Sequence, residues 1–363
     1  MSELLVVALE ASADLHGAAV LRELRALRPD LHAFGAGGPR MRAEGFEALV
    51  RAEDASVMGI AEVIPALPRV LDAMDALYDA AMERRPAAAL LIDSPDFNLR
   101  LARRLRERGI RVAYFIGPSV WAWRTYRVRQ IARDVARMLV ILPFEARFYQ
   151  AHGVRATYVG NPLADGRATP PLQRAEILAL LPGSRLQEIQ RIWPPMLAAA
   201  RMLRAQRPSL RLVVPVAPTI DRALFGAAPD LEFAESATEV LASARAAVVA
   251  SGTATLEAAL SLTPHVVVYR TSWLNWLIGR MLVRVKYIGL PNLLAGRGVV
   301  PELLQSACTP EAITSAAAPL LDDTLQRAAQ LEALRAVVAE LSPPGAANAA
   351  RRAAEEVASL VPP

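Results

Sequence analysis

Short, uninterrupted runs of apolar residues alternate along the chain with longer stretches in which apolar residues recur at helical spacing. Short apolar runs are typical of strands that are buried on both faces of a parallel sheet, and the longer stretches are typical of helices that cover such a sheet. The pattern therefore predicts an α/β protein with doubly wound parallel sheets. The predicted strands cover residues 4–9, 88–92, 112–116, 138–142, 176–181, 210–216, 246–250 and 265–269.

One segment breaks this alternation and divides the chain into two halves. Residues 161–173 contain three prolines and one glycine and are followed by a predicted strand, which is typical of an interdomain linker. A second break, the SPPG sequence at residues 342–345, precedes a final predicted helix. We expect two Rossmann-like domains, residues 1–166 and 167–342, and a C-terminal helix, residues 343–363, that packs back on the N-terminal domain.

Composition and charge narrow the class of protein. The 363 residues are 53% hydrophobic and 21% charged, which fits a folded globular protein of about two domains. The net charge of +5 favours anionic partners, such as phosphorylated substrates or an anionic membrane surface. A high content of arginine and alanine can also reflect the base composition of the genome, so the positive charge is not specific evidence for nucleic-acid binding. We therefore expect no nucleic acid among the partners.

Several kinds of site and segment are not indicated. The single cysteine, Cys308, excludes an intrachain disulfide framework and is typical of a reducing, cytoplasmic setting. No basic segment precedes the first predicted strand and no apolar run is long enough to cross a bilayer, so we expect neither a signal peptide nor a transmembrane helix. There is no Asp-x-Asp pair and the four histidines are scattered, so we expect no metal ion and no cofactor.

In open α/β sheets, ligands bind beyond the carboxyl ends of the strands, so we expect the chemistry in the loops that follow the strands. The first loop, at residues 10–17, opens a helix, where Ser12 and backbone N–H groups can bind an anion or a sugar oxygen. Alternatively, Ser12 or Asp14 only caps that helix. The glycine-rich residues 34–41 indicate a turn for close ligand approach, but Arg40 replaces the last glycine of a dinucleotide-binding fingerprint, which disfavours a dehydrogenase.

Two carboxylates, Asp93 and Asp96, follow the strand at residues 88–92 and precede a predicted helix. A carboxylate at this edge can act as a general base, and Asp93 is our candidate, while Asp96 can cap the helix or take the proton instead. Residues 117–124 contain two tryptophans and are followed by several arginines. This combination favours either a site for a phosphorylated amphiphile or two core tryptophans beside a solvated basic helix.

The second half of the chain has two loops rich in glycine and serine, each directly after a predicted strand. Their backbone N–H groups can bind a diphosphate, Arg185 can pair with its oxygens, and Glu257 can accept hydrogen bonds from ribose hydroxyls. Two such loops at neighbouring strand ends predict a nucleotide site. The residues that we assign to it are Gly183, Ser184, Arg185, Ser251, Gly252, Thr253, Ala254 and Glu257.

Two further stretches have features expected of a membrane-facing surface. Residues 60–74 have apolar positions at helical spacing, which Pro65 and Pro68 are expected to interrupt. Residues 273–290 combine two tryptophans and aliphatic residues with arginines and Lys286, which suits an anionic lipid surface. Burial in the core or at a dimer interface is the alternative for both stretches.

Nine sequence strings together resemble the lipid-A-disaccharide synthase family over nearly the whole chain. They are EASADLHGA, GGPRM, VMGIAEV, IDSPDFN, PSVWAWR, LPFE, ALLPGSR, ASGTATLEAAL and LPNLLAGR. Their number and order make chance agreement implausible. Two positions depart from the family pattern: Ala13 replaces a glycine in the first loop, where its methyl group is expected to narrow the turn, and Asn161 replaces a histidine before Pro162.

The resemblance implies a bacterial glycosyltransferase of the GT-B type, with two Rossmann-like domains that face each other across a cleft. It implies inverting, metal-independent transfer of 2,3-diacylglucosamine from its UDP conjugate to 2,3-diacylglucosamine 1-phosphate, at the cytoplasmic face of the inner membrane and with domain-swapped homodimers as an option. The products are a β-1,6-linked disaccharide phosphate and UDP. The rivals are another UDP-N-acetylglucosamine enzyme of this fold, such as a peptidoglycan glycosyltransferase or a UDP-sugar epimerase, and a non-catalytic membrane- or RNA-binding protein.

The resemblance also implies roles for individual residues. Asp93 is expected to act as the catalytic base, and Arg185 is expected to stabilise the leaving UDP. The residues expected to contact the substrates or UDP are Ser12, Met58, Asn98, Ser119, Trp121, Gly183, Ser184, Ser251, Gly252, Thr253, Ala254, Glu257, Asn292 and Glu302.

Overall fold

In the computed structural model, the polypeptide forms two compact units. The first comprises Met1–Asp165 and Gly345–Pro363, and the second comprises Gly166–Pro344. Met58, part of the predicted linker at residues 161–173 and the predicted break at residues 342–345 lie outside the residues that the structure describes. The described residues are 2–55, 63–166, 173–217, 220–226, 228–282, 285–341 and 348–362.

The first unit contains, among its described residues, a seven-stranded parallel sheet. Its strands are β1 Ser2–Ala8, β2 Leu31–Gly37, β3 Glu47–Arg51, β4 Ala88–Ile92, β5 Arg111–Phe115, β6 Arg137–Val140 and β7 Ala156–Tyr158. Their order in the sheet is β3-β2-β1-β4-β5-β6-β7. The chain moves outward from β1 and then restarts at β4, so the carboxyl ends of these two strands form the switch point where ligands of such sheets bind.

The second unit repeats this architecture with a six-stranded parallel sheet among its described residues. Its strands are β8 Ala175–Leu181, β9 Arg211–Pro215, β10 Leu231–Ala234, β11 Ala244–Ala250, β12 His265–Tyr269 and β13 Glu302–Leu304. The order β10-β9-β8-β11-β12-β13 places the switch point between β8 and β11.

Helices connect the strands in both units. They are α1 Ala11–Leu27, α2 Pro39–Ala43, α3 Ala52–Ala55, α4 Val63–Arg84, α5 Pro95–Arg106, α6 Val128–Asp134, α7 Pro143–Ala151, α8 Leu186–Gln206, α9 Ala237–Ser243, α10 Thr253–Leu260, α11 Trp273–Leu282, α12 Leu290–Ala295, α13 Pro310–Leu321, α14 Leu325–Leu341 and α15 Ala349–Ala358. None of the helices in the described part of the chain is both long and apolar enough to cross a bilayer.

Alternate residues of β1 face opposite sides of the sheet, and both sides are buried. Leu5 lies in one core with Leu77 of α4 and Leu101 of α5. Leu4 lies in the other core with Val20 of α1. Because helices cover both faces, every central position of β1 needs an apolar side chain, which explains the uninterrupted apolar run in the sequence.

The prediction of an α/β fold with doubly wound parallel sheets is confirmed. All eight predicted strands are present, with ends that differ from the prediction by at most two residues, whereas β2, β3, β7, β10 and β13 were not predicted. The turn expected within residues 34–41 is confined to Gly38, because β2 continues to Gly37 and α2 begins at Pro39. Gly35 lies so close to β1 that a Cβ atom would clash with the Val6 carbonyl oxygen.

Helix α4 continues through a proline that was expected to interrupt it. Pro65 lies in its first turn, where no backbone N–H is needed, and Pro68 lies inside the helix. Met74 is buried and Leu71 is 44% exposed, so the apolar stretch is partly core and partly surface. Residues 60–62 lie outside the described part of the chain.

The C-terminal helix α15 belongs to the first unit, although it follows the second unit in the chain. Val357 is buried in the core that α15 shares with α1. The Asp165 carboxylate accepts a hydrogen bond of 2.9 Å from the backbone N–H of Ala349, at the first turn of α15. Glu356 forms an ion pair of 3.0 Å with Arg137 of β6. Apolar packing, these two polar contacts and an ion pair of 3.4 Å between Arg351 and Glu23 of α1 thus hold this helix on the first unit.

Arg174, just before β8, ties together two helix ends at the amino edge of the second sheet. Its guanidinium donates hydrogen bonds to the carbonyl oxygens of Leu241 at 2.9 Å and Ser261 at 2.6 Å. It also donates to the carbonyl oxygens of Ala242 and Leu262. These carbonyls lie at the C-terminal ends of α9 and α10, where they lack partners within the helix and where the helix dipole favours a cation.

Replacing Arg174 by methionine should lower the free energy of unfolding by about 2–4 kcal/mol, because four carbonyls lose a charged donor while the apolar stem is kept. Chemical denaturation of the purified chain measures this change. The matched control is Arg211→Met, which breaks an exposed ion pair with Glu232 and should change the free energy by less than about 0.5 kcal/mol. Equal losses in the two variants would contradict the role of Arg174.

Candidate functional site

A cavity of about 420 Å³, here called the loop cavity, opens at the carboxyl ends of β8, β9 and β11 in the second unit. Both glycine–serine loops line it, although they are far apart in the sequence. All eight residues that we assigned to the two loops of the predicted nucleotide site therefore lie on one cavity. They are Gly183, Ser184, Arg185, Ser251, Gly252, Thr253, Ala254 and Glu257.

The two loop glycines adopt backbone conformations that other residues avoid. Gly183 has a φ of +106°, and a Cβ atom there would lie 2.9 Å from the Glu188 carboxylate. Gly252, which precedes α10, has φ and ψ of 144° and −161°, a region that is essentially restricted to glycine. Thr253 and Ala254 begin α10 on the wall of the loop cavity, where helical N–H groups have no partners within the helix and suit an anion.

Arg185 lies at the start of α8 with 80% of its side chain exposed. It forms an ion pair of 2.8 Å with Glu188, one turn further along the helix. An exposed pair of this kind contributes little to stability because water screens both charges. The guanidinium can therefore exchange Glu188 for phosphate oxygens of a ligand without disturbing the fold.

The loop cavity offers both donors and acceptors to a ligand. Arg185 and the loop N–H groups can donate hydrogen bonds to phosphate oxygens. Glu188, Glu235 and Glu257 also line the cavity and can accept hydrogen bonds from sugar hydroxyls. A ligand that combines phosphates with hydroxylated rings, such as a sugar nucleotide, matches this set of groups.

Replacing Gly252 by alanine should raise the Kd of UDP by about tenfold or more, because strain of about 1–3 kcal/mol would move the loop out of its binding conformation. Isothermal titration of the purified chain with UDP measures the effect. Gly226→Ala is the matched control, since Gly226 also has a positive φ, of 73°, but does not line the loop cavity. Among the described residues other than its chain neighbours, no atom lies within 4 Å of a Cβ added at Gly226. An equal loss of UDP affinity in the control would contradict the assignment.

Asn292 and Glu302 do not line the loop cavity, and their polar groups serve the protein itself. The Asn292 amide donates hydrogen bonds to the Val300 carbonyl oxygen at 2.9 Å and to Glu302 at 2.8 Å, and its oxygen accepts from the N–H groups of Val299 and Val300. The Glu302 carboxylate also accepts a hydrogen bond of 2.9 Å from the N–H of Gly289. The structure thus gives both residues a role in holding the chain just before α12, and their contact with a substrate stays a prediction.

This segment before α12 is joined directly to the second glycine–serine loop. The Ser251 hydroxyl donates a hydrogen bond of 3.0 Å to the Ile288 carbonyl oxygen. The Leu290 N–H donates one of 3.2 Å to the Thr255 hydroxyl, which itself donates to the Gly252 carbonyl oxygen at 2.8 Å. Asn292 and Glu302 therefore support the wall of the loop cavity from behind.

In the first unit, Asp93 follows β4 at the switch point of the sheet. Its side chain is half-buried, and burial together with the negative charge of Glu10 raises the pKa of the carboxyl group. Glu10 follows β1 and accepts a hydrogen bond of 3.4 Å from the Ser94 hydroxyl. A carboxylate whose pKa is raised is a stronger base than an ordinary aspartate.

Asp96 lies in a different setting, although it is only three residues from Asp93. It does not cap α5, whose first turn has no side-chain cap. Its exposed carboxylate forms ion pairs of 2.6 Å with Arg127 and 3.6 Å with Arg124. Because both ion pairs engage the Asp96 carboxylate, the geometry favours Asp93 as the base.

Asn98 is completely buried, and its side chain contacts the backbone at the end of β4. Its amide donates hydrogen bonds to the carbonyl oxygens of Ile92 at 3.1 Å and Asp93 at 2.8 Å. The structure thus assigns Asn98 to the backbone at the end of β4, and the expected contact with a substrate stays a prediction.

The first loop is shorter than the sequence indicated, because α1 begins at Ala11. Ser12 is exposed in the first turn of this helix, while Ala13 is buried within it, so the expected narrowing of a turn by the Ala13 methyl group is wrong. Asp14 caps α2 and not α1, the helix that the sequence suggested. Its buried carboxylate accepts hydrogen bonds from the N–H groups of Gly38 at 2.8 Å and Met41 at 3.0 Å.

The tryptophans that follow β5 are not core residues. Trp123 is 41% exposed, and the Arg124 guanidinium lies 4.1 Å from the centre of its ring. Trp121 is half-buried and donates a hydrogen bond of 2.9 Å from its indole N–H to Glu145. Burial raises the pKa of Glu145 to about 7. No pattern in the sequence indicated the contact between Trp121 and Glu145. Ser119 is exposed in the same loop.

Helix α11 in the second unit carries several exposed apolar side chains. Trp273 is 74% exposed, Leu277 is 41% exposed and Leu282 is 54% exposed. Arg280 is exposed on the same helix. This mixture of aromatic, aliphatic and cationic side chains suits an anionic lipid surface.

The family model described as lipid-A-disaccharide synthetase matches residues 4–357. The chain belongs to this family. Its relatives named lipid-A-disaccharide synthase include a protein of Anaeromyxobacter dehalogenans that is 52% identical, with 99% of this chain and 97% of the relative covered. The relative from Myxococcus xanthus is 48% identical over 99% and 98% of the two chains, and the one from Pseudomonas aeruginosa is 41% identical over 98% and 97%.

Solved structures of other glycosyltransferases have the same fold as this family member. The glycosyltransferase of kitacinnamycin aligns with a TM-score of 0.66 at 18% identity and covers 99% of both chains. A calicheamicin glycosyltransferase aligns with a TM-score of 0.61 at 16% identity, covering 99% of this chain and 98% of its own. At these identities the similarity concerns the fold alone, and it confirms the expected GT-B type.

Membership of the lipid-A-disaccharide synthetase family confirms the resemblance noted from the nine sequence strings. It also confirms that the chain is a glycosyltransferase of lipid A biosynthesis. A non-catalytic membrane- or RNA-binding role and the rival sugar-nucleotide enzymes are not favoured.

Proposed function

We propose that the enzyme transfers 2,3-diacylglucosamine from its UDP conjugate to the 6-hydroxyl of 2,3-diacylglucosamine 1-phosphate. The acceptor oxygen forms a bond to C1 of the donor sugar, the bond between C1 and the diphosphate oxygen breaks, and the configuration at C1 inverts. The proton of the hydroxyl passes to a base, and UDP leaves with the bonding electrons. The observation that carries the proposal is that both glycine–serine loops, Arg185 and Glu257 line one cavity in a member of this family.

The second unit binds the donor in this proposal. The N–H groups of the two glycine loops and the Arg185 guanidinium bind the diphosphate and stabilise the charge that develops as UDP leaves. Glu257 accepts hydrogen bonds from the ribose hydroxyls. No divalent cation takes part, since Arg185 and the loop dipoles supply the positive field that the leaving group needs.

The first unit supplies the base. Asp93 takes the proton from the acceptor hydroxyl, and its partly buried position is consistent with this role because the raised pKa makes the carboxylate a stronger base. Ser12 in the first turn of α1 contacts the acceptor, as do Ser119 and Trp121 in the loop that follows β5. These segments follow β1 and β5 at the same edge of the sheet. Arg124, stacked on the exposed Trp123, offers a cation to the acceptor phosphate.

The acyl chains place the reaction at a membrane surface. We propose that the exposed apolar and basic side chains of α11 contact the anionic cytoplasmic face of the inner membrane. Domain-swapped homodimers stay a prediction from the family resemblance.

Comparing acylated with non-acylated UDP-glucosamine as donors tests the substrate class. The proposal expects UDP release and disaccharide formation with the 2,3-diacylated donor and acceptor, and at least about a hundredfold lower kcat/KM with the non-acylated donor, since roughly 3 kcal/mol of contacts with the acyl chains would be missing. Mass spectrometry of the product identifies the disaccharide. Equal use of both donors would contradict the proposal and would favour another enzyme specific for UDP-N-acetylglucosamine.

A further inference from the structure

The backbone at Asp93 adopts a conformation that the sequence does not favour by itself. Asp93 has a φ of 52° and Ser94 has a φ of 43°, so two successive residues with side chains lie in the left-handed region. L-residues avoid this region, and they persist there only where the surrounding structure holds them. Pro95 restricts Ser94 but has no such effect on Asp93. Some other contact must therefore fix the peptide that follows β4.

Two buried side chains hold this peptide. The Asp93 carbonyl oxygen accepts one hydrogen bond of 2.5 Å from the Tyr114 hydroxyl and a second of 2.8 Å from the Asn98 amide. On its other side, the Asp93 N–H donates a hydrogen bond of 3.0 Å to the Phe115 carbonyl oxygen. Tyr114 and Asn98 are both fully buried, so water cannot replace them as donors.

Tyr114 reaches this carbonyl from the neighbouring strand. It lies on β5 opposite Leu91 of β4, and its ring extends beyond the end of β4 to the turn. Burial raises the pKa of Tyr114 well above its ordinary value, so the hydroxyl keeps its proton and acts as a donor. Within the described part of the chain, the Asp93 carbonyl oxygen is its only hydrogen-bond partner. The hydroxyl therefore contacts the one peptide that carries the candidate base.

We propose that Tyr114 is a positioning residue for the reaction. Its hydroxyl, together with the Asn98 amide, fixes the left-handed peptide and so aims the Asp93 carboxylate at the acceptor hydroxyl. A general base acts only within hydrogen-bond reach of the proton, and a displacement of about 1 Å can lower the rate about a hundredfold. The inference rests on the proposed function, because it takes Asp93 as the base.

Tyr114→Phe tests the proposal because it removes one oxygen atom from a fully buried ring. We expect kcat to fall by about tenfold to a hundredfold, while the KM of the acceptor and the Kd of UDP change by less than about twofold, because neither binding site is touched. The acid limb of the pH profile should move to lower pH, because a displaced carboxylate is better hydrated and its pKa falls toward the ordinary value. The matched control is Tyr78→Phe, which removes a hydroxyl that accepts a hydrogen bond of 2.8 Å from Arg108 at the surface and should leave kcat unchanged.

A double variant separates positioning from a merely structural role. In an Asp93→Asn background there is no base to aim, so adding Tyr114→Phe should lower the residual kcat by less than about twofold. The proposal would be overturned if the losses in kcat of the two single variants multiplied in the double variant. It would also be overturned if Tyr114→Phe alone left kcat unchanged, or raised KM without a change in kcat. A wild-type kcat in Asp93→Asn would instead overturn the assignment of the base, which is a failure of the proposed function.

Asn98→Ala provides a second test, which does not depend on the folding of Tyr114→Phe. It removes the other donor to the same carbonyl oxygen, so the proposal expects the same fall in kcat with unchanged UDP affinity. A loss of UDP affinity without a fall in kcat would contradict the role that both side chains share.

Discussion

Replacing Asp93 by asparagine should lower kcat by about a thousandfold, because asparagine fills the same volume but cannot take the proton from the acceptor hydroxyl. The Kd of UDP should stay within about twofold of the wild-type value, since UDP is expected to bind the second unit. Steady-state UDP release and isothermal titration measure the two quantities. The side chain is only half-buried, so the variant should fold like the wild type.

The dependence of kcat on pH provides a second test of Asp93 as the base, with a definite direction. The base must be deprotonated, so kcat rises with pH as Asp93 loses its proton. Because burial and Glu10 raise the pKa of this carboxyl group, the acid limb should lie above the pH at which an ordinary aspartate titrates. In Asp93→Asn, this limb should disappear from the residual activity.

The matched control for Asp93 is Asp96→Asn, three residues along the chain. It breaks the exposed ion pairs with Arg127 and Arg124 and should lower kcat by less than about fivefold, since exposed pairs of this kind contribute little. A thousandfold loss in Asp96→Asn together with an active Asp93→Asn would reverse the assignment of the base.

Arg185→Ala should lower kcat by about a hundredfold to a thousandfold, because the charge that develops on the leaving UDP loses its guanidinium. The free energy of unfolding should change by less than about 0.5 kcal/mol, because the side chain is 80% exposed and its ion pair with Glu188 is screened by water. Arg185→Lys should recover only part of the activity, since a lysine cannot bind two phosphate oxygens with the same planar geometry. Initial rates and denaturation curves of the same preparations test both statements.

Arg201→Ala is the control for the removal of an exposed arginine from α8. Arg201 forms an ion pair of 2.9 Å with Asp230 and is 50% exposed, but it does not line the loop cavity. Its loss should leave kcat unchanged. Equal activities of Arg185→Ala and Arg201→Ala would remove the loop cavity from the mechanism.

The sequence was sufficient for the main strands and the two glycine–serine loops, because both depend on local patterns. β1 and β4 are continuous apolar runs since they are buried on both faces, and the loops consist of glycine and serine directly after such runs. β2 was missed because Gly35 and Gly37 resemble a turn, whereas Gly35 is required by close packing against β1. Local pattern does not distinguish a glycine that turns the chain from one that makes room for a neighbour.

Contacts between segments that are far apart in the chain could not be predicted from the sequence. Asp14 has the position of a cap for α1, yet its carboxylate binds backbone N–H groups more than twenty residues later. Asn98 and Asn292 match a family motif, but only the tertiary structure reveals that their amides hold backbone carbonyls. The Tyr114 hydroxyl meets the Asp93 peptide because β4 and β5 are adjacent in the sheet. Such partners depend on which strands pair, and residue spacing along one chain does not encode that.

In the proposed mechanism, the second unit binds UDP without a divalent cation while an acidic side chain of the first unit activates a lipid-linked sugar alcohol. The most direct measurement follows UDP release by the purified protein with both glucosamine lipids in detergent and excess EDTA. The predicted result is one UDP for each disaccharide phosphate, at a rate that added magnesium does not change. Turnover that begins only when a divalent cation is restored would contradict the claim.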